Sequence, residues 1–159
     1  IEGQVLQIFA DAYTPVVDSS AIPTGEIASV EGTPMDFRTE KQIGQDIRAD
    51  FEQLHFTGGY DHNYVLGRPG EKKIMANAYC RESGIALEAE TDCCGVQFYA
   101  GNFIGEQTGK GGAAYHDRSA FCLESQFYPN AVNEPDFPSP VVKAGHTYHT
   151  ETSYRFYLR

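Results

Sequence analysis

Apolar and polar side chains alternate over many short segments of this chain, and glycine or proline separates the segments. Alternation with a period of two is typical of β-strands that bury one face. The pattern predicts strands at residues 5–10, 27–30, 60–66, 74–80, 85–90, 96–100, 120–127 and 149–158. Because Glu82-Ser83-Gly84 separates 74–80 from 85–90, these two segments are expected to form a hairpin. The chain is therefore predicted to be all-β.

One segment has helical spacing instead. Ile43, Ile47, Phe51 and Leu54 follow one another at offsets of four, four and three, which places them on one stripe of a helix. The spacing predicts a helix over residues 40–54, with Thr39 as its N-cap.

Length and charge limit the function classes. The 159 residues suffice for one domain with a core, and 41% of them are hydrophobic. The formal net charge of −10 repels phosphate backbones and anionic lipid heads. No apolar run approaches the roughly 20 residues that span a bilayer. We therefore expect neither nucleic acid nor a membrane as a partner.

The four cysteines have no spacing typical of a metal site. Cys80, Cys93, Cys94 and Cys122 match no zinc pattern, and adjacent Cys93 and Cys94 are poorly placed for an ordinary disulfide. Free thiols are the simplest interpretation, and they favour a reducing compartment such as the cytoplasm. We expect no metal site.

A carboxylate interrupts the apolar segment 120–127. Phe121 and Leu123 alternate with Cys122, Glu124 and Gln126, so Glu124 lies on the face opposite the phenylalanine. A charge among apolar neighbours is costly unless it is paired, neutralised or used. We interpret Glu124 as a general base, although a strand glutamate is more often simply solvated.

Two further polar residues are candidates for ligand binding. Asp61 follows Gly58-Gly59, and Gln97 shares one strand face with Tyr99. Carboxylates and amides beside an aromatic ring suit a neutral polyhydroxyl ligand, since they bind hydroxyls while the ring covers C–H groups. By pattern alone, an aspartate after two glycines is more often a turn-forming residue, and a glutamine such as Gln97 is most often a hydrogen-bonded structural amide.

Several motifs at consistent spacing resemble one family. They are Tyr13-Thr14-Pro15-Val16, Ile22-Pro23-Thr24-Gly25-Glu26, Gly32-Thr33-Pro34-Met35-Asp36-Phe37, Gly59-Tyr60-Asp61-His62-Asn63-Tyr64, Gly95-Val96-Gln97-Phe98-Tyr99-Ala100-Gly101-Asn102-Phe103, Cys122-Leu123-Glu124-Ser125-Gln126 and Pro129-Asn130-Ala131-Val132-Asn133. Over nearly its whole length, the chain resembles the C-terminal part of the aldose 1-epimerase (galactose mutarotase) family.

The resemblance implies a fold, an activity and three site residues. The fold would be part of a large β-supersandwich with one short helix. The activity would be interconversion of the α and β anomers of free hexoses such as galactose and glucose, with no cofactor. By resemblance, Glu124 would be the catalytic base, while Asp61 and Gln97 would bind the sugar.

The chain also departs from the family pattern. The family's catalytic acid is a histidine in an Asn-His-x-Tyr-Phe-Asn motif upstream of the matched region, and none of the five histidines here lies in that motif. We therefore expect residues 1–159 to be the C-terminal part of a single domain. An upstream portion of the same protein would then be needed as a partner.

Two alternatives remain open at this stage. A non-catalytic carbohydrate-binding relative would use Asp61 and Gln97 without the base at Glu124. A relative acting on hexose 6-phosphates would need arginine or lysine for the phosphate, and basic residues are scarce near the motifs.

Overall fold

The computed structural model describes residues 1–159. It contains one α-helix, α1 (Glu52–Thr57), and one 3-10 turn (Lys110–Gly112). The remaining elements are twelve short strands: β1 (Val5–Ile8), β2 (Ala12–Thr14), β3 (Ala28–Ser29), β4 (Lys41–Gln42), β5 (Asp61–Val65), β6 (Lys73–Tyr79), β7 (Ile85–Thr91), β8 (Gly95–Tyr99), β9 (Gln107–Thr108), β10 (Ala114–Tyr115), β11 (Cys122–Gln126) and β12 (Thr152–Leu158).

Ten of the strands form two antiparallel sheets. The first sheet has the order β12-β7-β6-β1-β4, and the second has the order β11-β8-β5-β2-β3. Strands β9 and β10 make a separate small hairpin. The predicted hairpin is confirmed, since β6 pairs with β7 in antiparallel register. The all-β prediction is likewise confirmed.

The two sheets share one apolar core. The first sheet contributes Leu6 and Ile8, and the second contributes Tyr64, Val96 and Phe98, all of them buried. Each of these side chains alternates along its strand with a residue on the opposite face, as the period of two requires. The opposite face of the second sheet is therefore available for polar side chains.

The predicted helix over residues 40–54 is wrong. Strand β4 and a series of turns occupy residues 41–50, and α1 begins only after Phe51, whose φ of −139° is extended. No side chain caps α1, so Thr39 has no capping role. Ile43 and Ile47 are nevertheless buried, because the turns deliver both to the core. Their spacing reflected burial, not helical geometry.

Neither a disulfide nor a long helix is present in the structure. All four cysteines are free thiols. Since the one α-helix is only six residues long, the structure has no helix capable of crossing a bilayer.

Candidate active site

Three neighbouring strands place the predicted site residues side by side. In the register of β5, β8 and β11, Gln97 lies opposite both Asn63 and Glu124, and Tyr99 lies opposite Asp61. All five residues point away from the core, because His62 and Phe98 beside them point into it. The sheet therefore brings Asp61, Gln97 and Glu124 together on one face.

These side chains line a hollow of about 430 Å³ on the open face of the second sheet. Its lining is mainly polar and includes two aromatic rings, and it contains neither lysine nor arginine. The lining residues are Ala21, Asp61, Gln97, Tyr99, Phe103, Glu124, Gln126 and Pro129.

Asp61 is fixed by a hydrogen bond from an amide. Gln97 Nε2 donates to Asp61 Oδ1 at 2.8 Å, whereas Oδ2 of the same carboxylate has no protein donor. Partial burial raises the pKa of Asp61, and the hydrogen bond from Gln97 opposes that rise. A carboxylate with one oxygen bound and the other free is placed to accept a ligand hydroxyl.

Glu124 lies in the hollow but is not buried. Its side chain is exposed to solvent, and its backbone pairs with that of Gln97. The expectation that the charge is costly at this position is therefore wrong, since β11 buries only its Leu123 face. Because it is exposed within the hollow, the Glu124 carboxylate is accessible to a ligand bound there.

The histidines do not reach this hollow. His62 is fully buried on the core face, where its ring packs edge-on against Tyr13 with centroids 5.9 Å apart. Its Nδ1 accepts a hydrogen bond from the Asp61 amide at 3.2 Å. Burial lowers the pKa of His62 to about 4, so the ring is neutral at pH 7. His62 therefore points away from the Asp61 side chain, as neighbours on an extended strand do.

An aromatic side chain forms one edge of the hollow. The Phe103 ring is 69% exposed, although it lies against Gly58 at the end of α1. Tyr99 Oη accepts a hydrogen bond from the Phe103 amide at 2.9 Å and so holds this loop beside the sheet. An exposed ring next to polar groups offers an apolar surface to ligand C–H groups.

The sequence patterns missed Gln126, Asn63 and Phe103 as members of this constellation. Gln126 and Asn63 become neighbours only through strand pairing, and Phe103 arrives from a loop. The shared face of Cys122, Glu124 and Gln126 was a usable signal for Gln126. No local pattern indicated the position of Phe103.

The protein is a β-sandwich with a mainly polar hollow on the open face of one sheet. Comparisons with known proteins identify its family. The family model described as aldose 1-epimerase matches residues 1–155. The chain is 45% identical over 150 residues to a galactose mutarotase of Sus scrofa, covering 94% of this chain and 42% of that protein. It is 36% identical over 159 residues to an aldose 1-epimerase of Escherichia coli (strain K12), covering 98% of this chain and 45% of that protein.

A solved structure has the same architecture. The crystal structure of a GalM/aldose epimerase homologue from C. elegans superposes with a TM-score of 0.81 at 27% sequence identity, covering 99% of this chain and 46% of that chain. The chain belongs to the aldose 1-epimerase family and has the galactose mutarotase-like fold. It spans less than half the length of these relatives.

Proposed function

We propose that this chain supplies the catalytic base and part of the sugar site of an aldose 1-epimerase. The reaction would interconvert the α and β anomers of free hexoses such as galactose and glucose. The proposal is supported chiefly by the meeting of Glu124, Asp61 and Gln97 in one open hollow. Family membership supports the reaction class.

Each of the three residues has a distinct role in the proposed mechanism. Glu124 takes the proton from the C1 hydroxyl while an acid protonates the ring oxygen, and the ring opens to the aldehyde. Rotation about C1–C2 and reclosure, with both proton transfers reversed, give the other anomer. Asp61 accepts a hydrogen bond from a sugar hydroxyl, and Gln97 holds Asp61 in place. No step in this scheme calls for a cofactor.

The acid would come from outside residues 1–159. His62 is buried and neutral on the wrong face of the sheet, and no other histidine lines the hollow. We propose that these residues form the C-terminal part of one domain and that an upstream portion of the same protein completes the site. The exposure of Glu124 and the partial coverage of the relatives support this division.

The proposed partner is a neutral free hexose. The hollow contains no lysine or arginine to bind a phosphate, which favours an unphosphorylated sugar over a hexose 6-phosphate. We also propose a cytoplasmic location, on the basis of the free thiols.

Glu124→Gln in the full-length protein, which includes the upstream portion, tests the catalytic role. Removing the base should lower the mutarotation rate by about 10²–10⁴-fold, followed as the change in optical rotation of fresh α-galactose. Hexose binding should persist, because Asp61 and Gln97 remain. Glu71→Gln is the matched control, since Glu71 is exposed in the turn before β6 and lies outside the hollow.

The binding measurement separates the enzyme from a carbohydrate-binding relative. An enzyme loses turnover and keeps binding in the Glu124→Gln variant. A full-length wild-type protein, with the upstream portion present, that binds galactose without ever accelerating mutarotation would overturn the proposed activity.

A further inference from the structure

Gln126 extends the hydrogen-bonded chain that ends at Asp61. Its Nε2 donates both to Gln97 Oε1 at 3.0 Å and to Asn63 Oδ1 at 3.2 Å. Gln97 Nε2 in turn donates to Asp61 at 2.8 Å. Gln126, Gln97 and Asp61 are therefore connected head to tail, with a donor of each amide directed toward the carboxylate, while Gln126 also binds Asn63.

The direction of this chain depends on Gln126. A primary amide has a donor end and an acceptor end, so Gln97 has two possible orientations. In the opposite orientation, Gln97 would place its oxygen against the Asp61 carboxylate and its nitrogen against the nitrogen of Gln126. The donor of Gln126 and the acceptor carboxylate of Asp61 thus favour the same orientation of Gln97, and Gln126 reinforces it from the far side of the amide.

Asn63 fixes Gln126 in the same way. Asn63 is only 2% exposed, and its Oδ1 lies directly over Gly95. A Cβ at position 95 would overlap that oxygen and would come within 3.0 Å of the Tyr128 ring. Because residue 95 has no side chain, Gln126 has room to reach across β8 to Asn63.

We infer that Gln126 is a positioning residue, which orients the Gln97 amide and through it presents Asp61 as a sugar-binding acceptor. Only the sugar-binding role of Asp61 in this inference rests on the proposed function. The orientation itself is a property of the protein without ligand. Asp61 is partly buried, so the hydrogen bond from Gln97 stabilises its charged form.

The test uses the full-length protein and the variant Gln126→Met, which has a similar shape but no donor. The pKa of Asp61, measured by ¹³C NMR of its carboxyl carbon, should rise by about one pH unit. The KM for galactose should rise by roughly three- to tenfold, while kcat changes little. Gln7→Met is the matched control, because Gln7 donates to the Arg38 carbonyl at 2.9 Å in the other sheet.

A second variant guards against simple misfolding. Gln126→Glu keeps the side-chain length but presents only acceptors to Gln97 and Asn63 at pH 7. It should therefore raise the pKa of Asp61 more than Gln126→Met does. Because the added charge also raises the Asp61 pKa by repulsion, the Gln126→Met titration is decisive. A merely structural role would change the thermal stability of Gln126→Met without moving its Asp61 titration.

The outcomes distinguish this inference from the proposed function. An Asp61 titration that is the same in wild type and in Gln126→Met would overturn the positioning role, even in an active enzyme. A wild-type protein without mutarotase activity would defeat the proposed function, while the titration would still decide what Gln126 does.

Discussion

Asp61 and His62 are adjacent residues of β5, yet burial changes their acid–base chemistry in opposite directions. The pKa of Asp61 is raised, whereas the pKa of His62 is lowered to about 4. One physical cause explains both, because loss of water disfavours the charged form of each group. Asp61 faces the hollow, where the hydrogen bond from Gln97 stabilises the charged form of its carboxylate. His62 faces the core, where only the neutral ring is tolerated.

The neutral state of His62 predicts sensitivity to acid. Below its ordinary pKa of 6.5, the unfolded chain binds a proton that the native protein does not bind until about pH 4. Stability from this residue is therefore fully present above pH 6.5 and is lost as the pH falls, by about 3 kcal/mol at pH 4. We expect His62→Phe to lose less free energy of unfolding than wild type between pH 7 and pH 4.5, measured by urea denaturation.

The control for this prediction is His146→Phe. His146 lies in an exposed loop, so its replacement should leave the acid-induced loss unchanged. Equal losses in wild type and His62→Phe would mean that His62 protonates in the native state without cost.

At the scale of elements, the strands of the second sheet hold the site by their register. Each residue of β8 on the open face pairs with one from β5 and one from β11, as Gln97 does with Asn63 and Glu124. A slip by one residue would exchange the open face with the core face. The same pairing that buries Phe98 therefore determines which side chains meet in the hollow.

Gly95 at the start of β8 has no room for a side chain beside the site. We expect Gly95→Ala to destabilise the fold by about 1–3 kcal/mol, because its Cβ would overlap Asn63 Oδ1 and crowd Tyr128. Thermal unfolding measures the effect. Gly3→Ala is the control, since a Cβ there meets nothing within 4 Å, and a similar loss in both variants would contradict the packing argument.

Viewed as a whole molecule, the sandwich is open at one end. Tyr154, Phe156 and Leu158 of β12 share the face on which Leu87 and Ala89 of β7 meet the core. Tyr154 Oη still reaches the Leu123 carbonyl of the second sheet at 2.6 Å.

Beyond Tyr154, the inner face of β12 has no covering sheet. Phe156 is 69% exposed and Leu158 is 81% exposed. An apolar patch on an inner sheet face indicates where further structure packs. The patch therefore supports the proposal that an upstream portion completes the domain.

Complementation tests that proposal. Residues 1–159 alone should show little mutarotase activity, and mixing them with the upstream portion should restore it, followed by optical rotation of fresh α-galactose. Phe156→Lys should prevent the rescue, because it places a charge on the apolar patch. Tyr157→Lys is the control, since Tyr157 lies on the opposite face of the same strand. Full activity of the isolated residues would contradict the proposal.

The sequence by itself determined most of the longer strands, the face on which Glu124 lies and the family. Alternation with a period of two is a local property, so most of the strands were predictable within a few residues. The motifs around Asp61, Gln97 and Glu124 are equally local, and they carried the resemblance.

Only the tertiary structure decided which polar residues meet. Gln126 reaches Gln97 and Asn63 because β11, β8 and β5 pair in one register, and Phe103 joins them from a loop. The wrong helix prediction at residues 40–54 also results from contacts between distant residues. Ile43 and Ile47 are apolar because they pack into a core formed mainly by strands far away in the sequence. Contacts between residues far apart in sequence leave no local period, and they become visible only when the sheets are assembled.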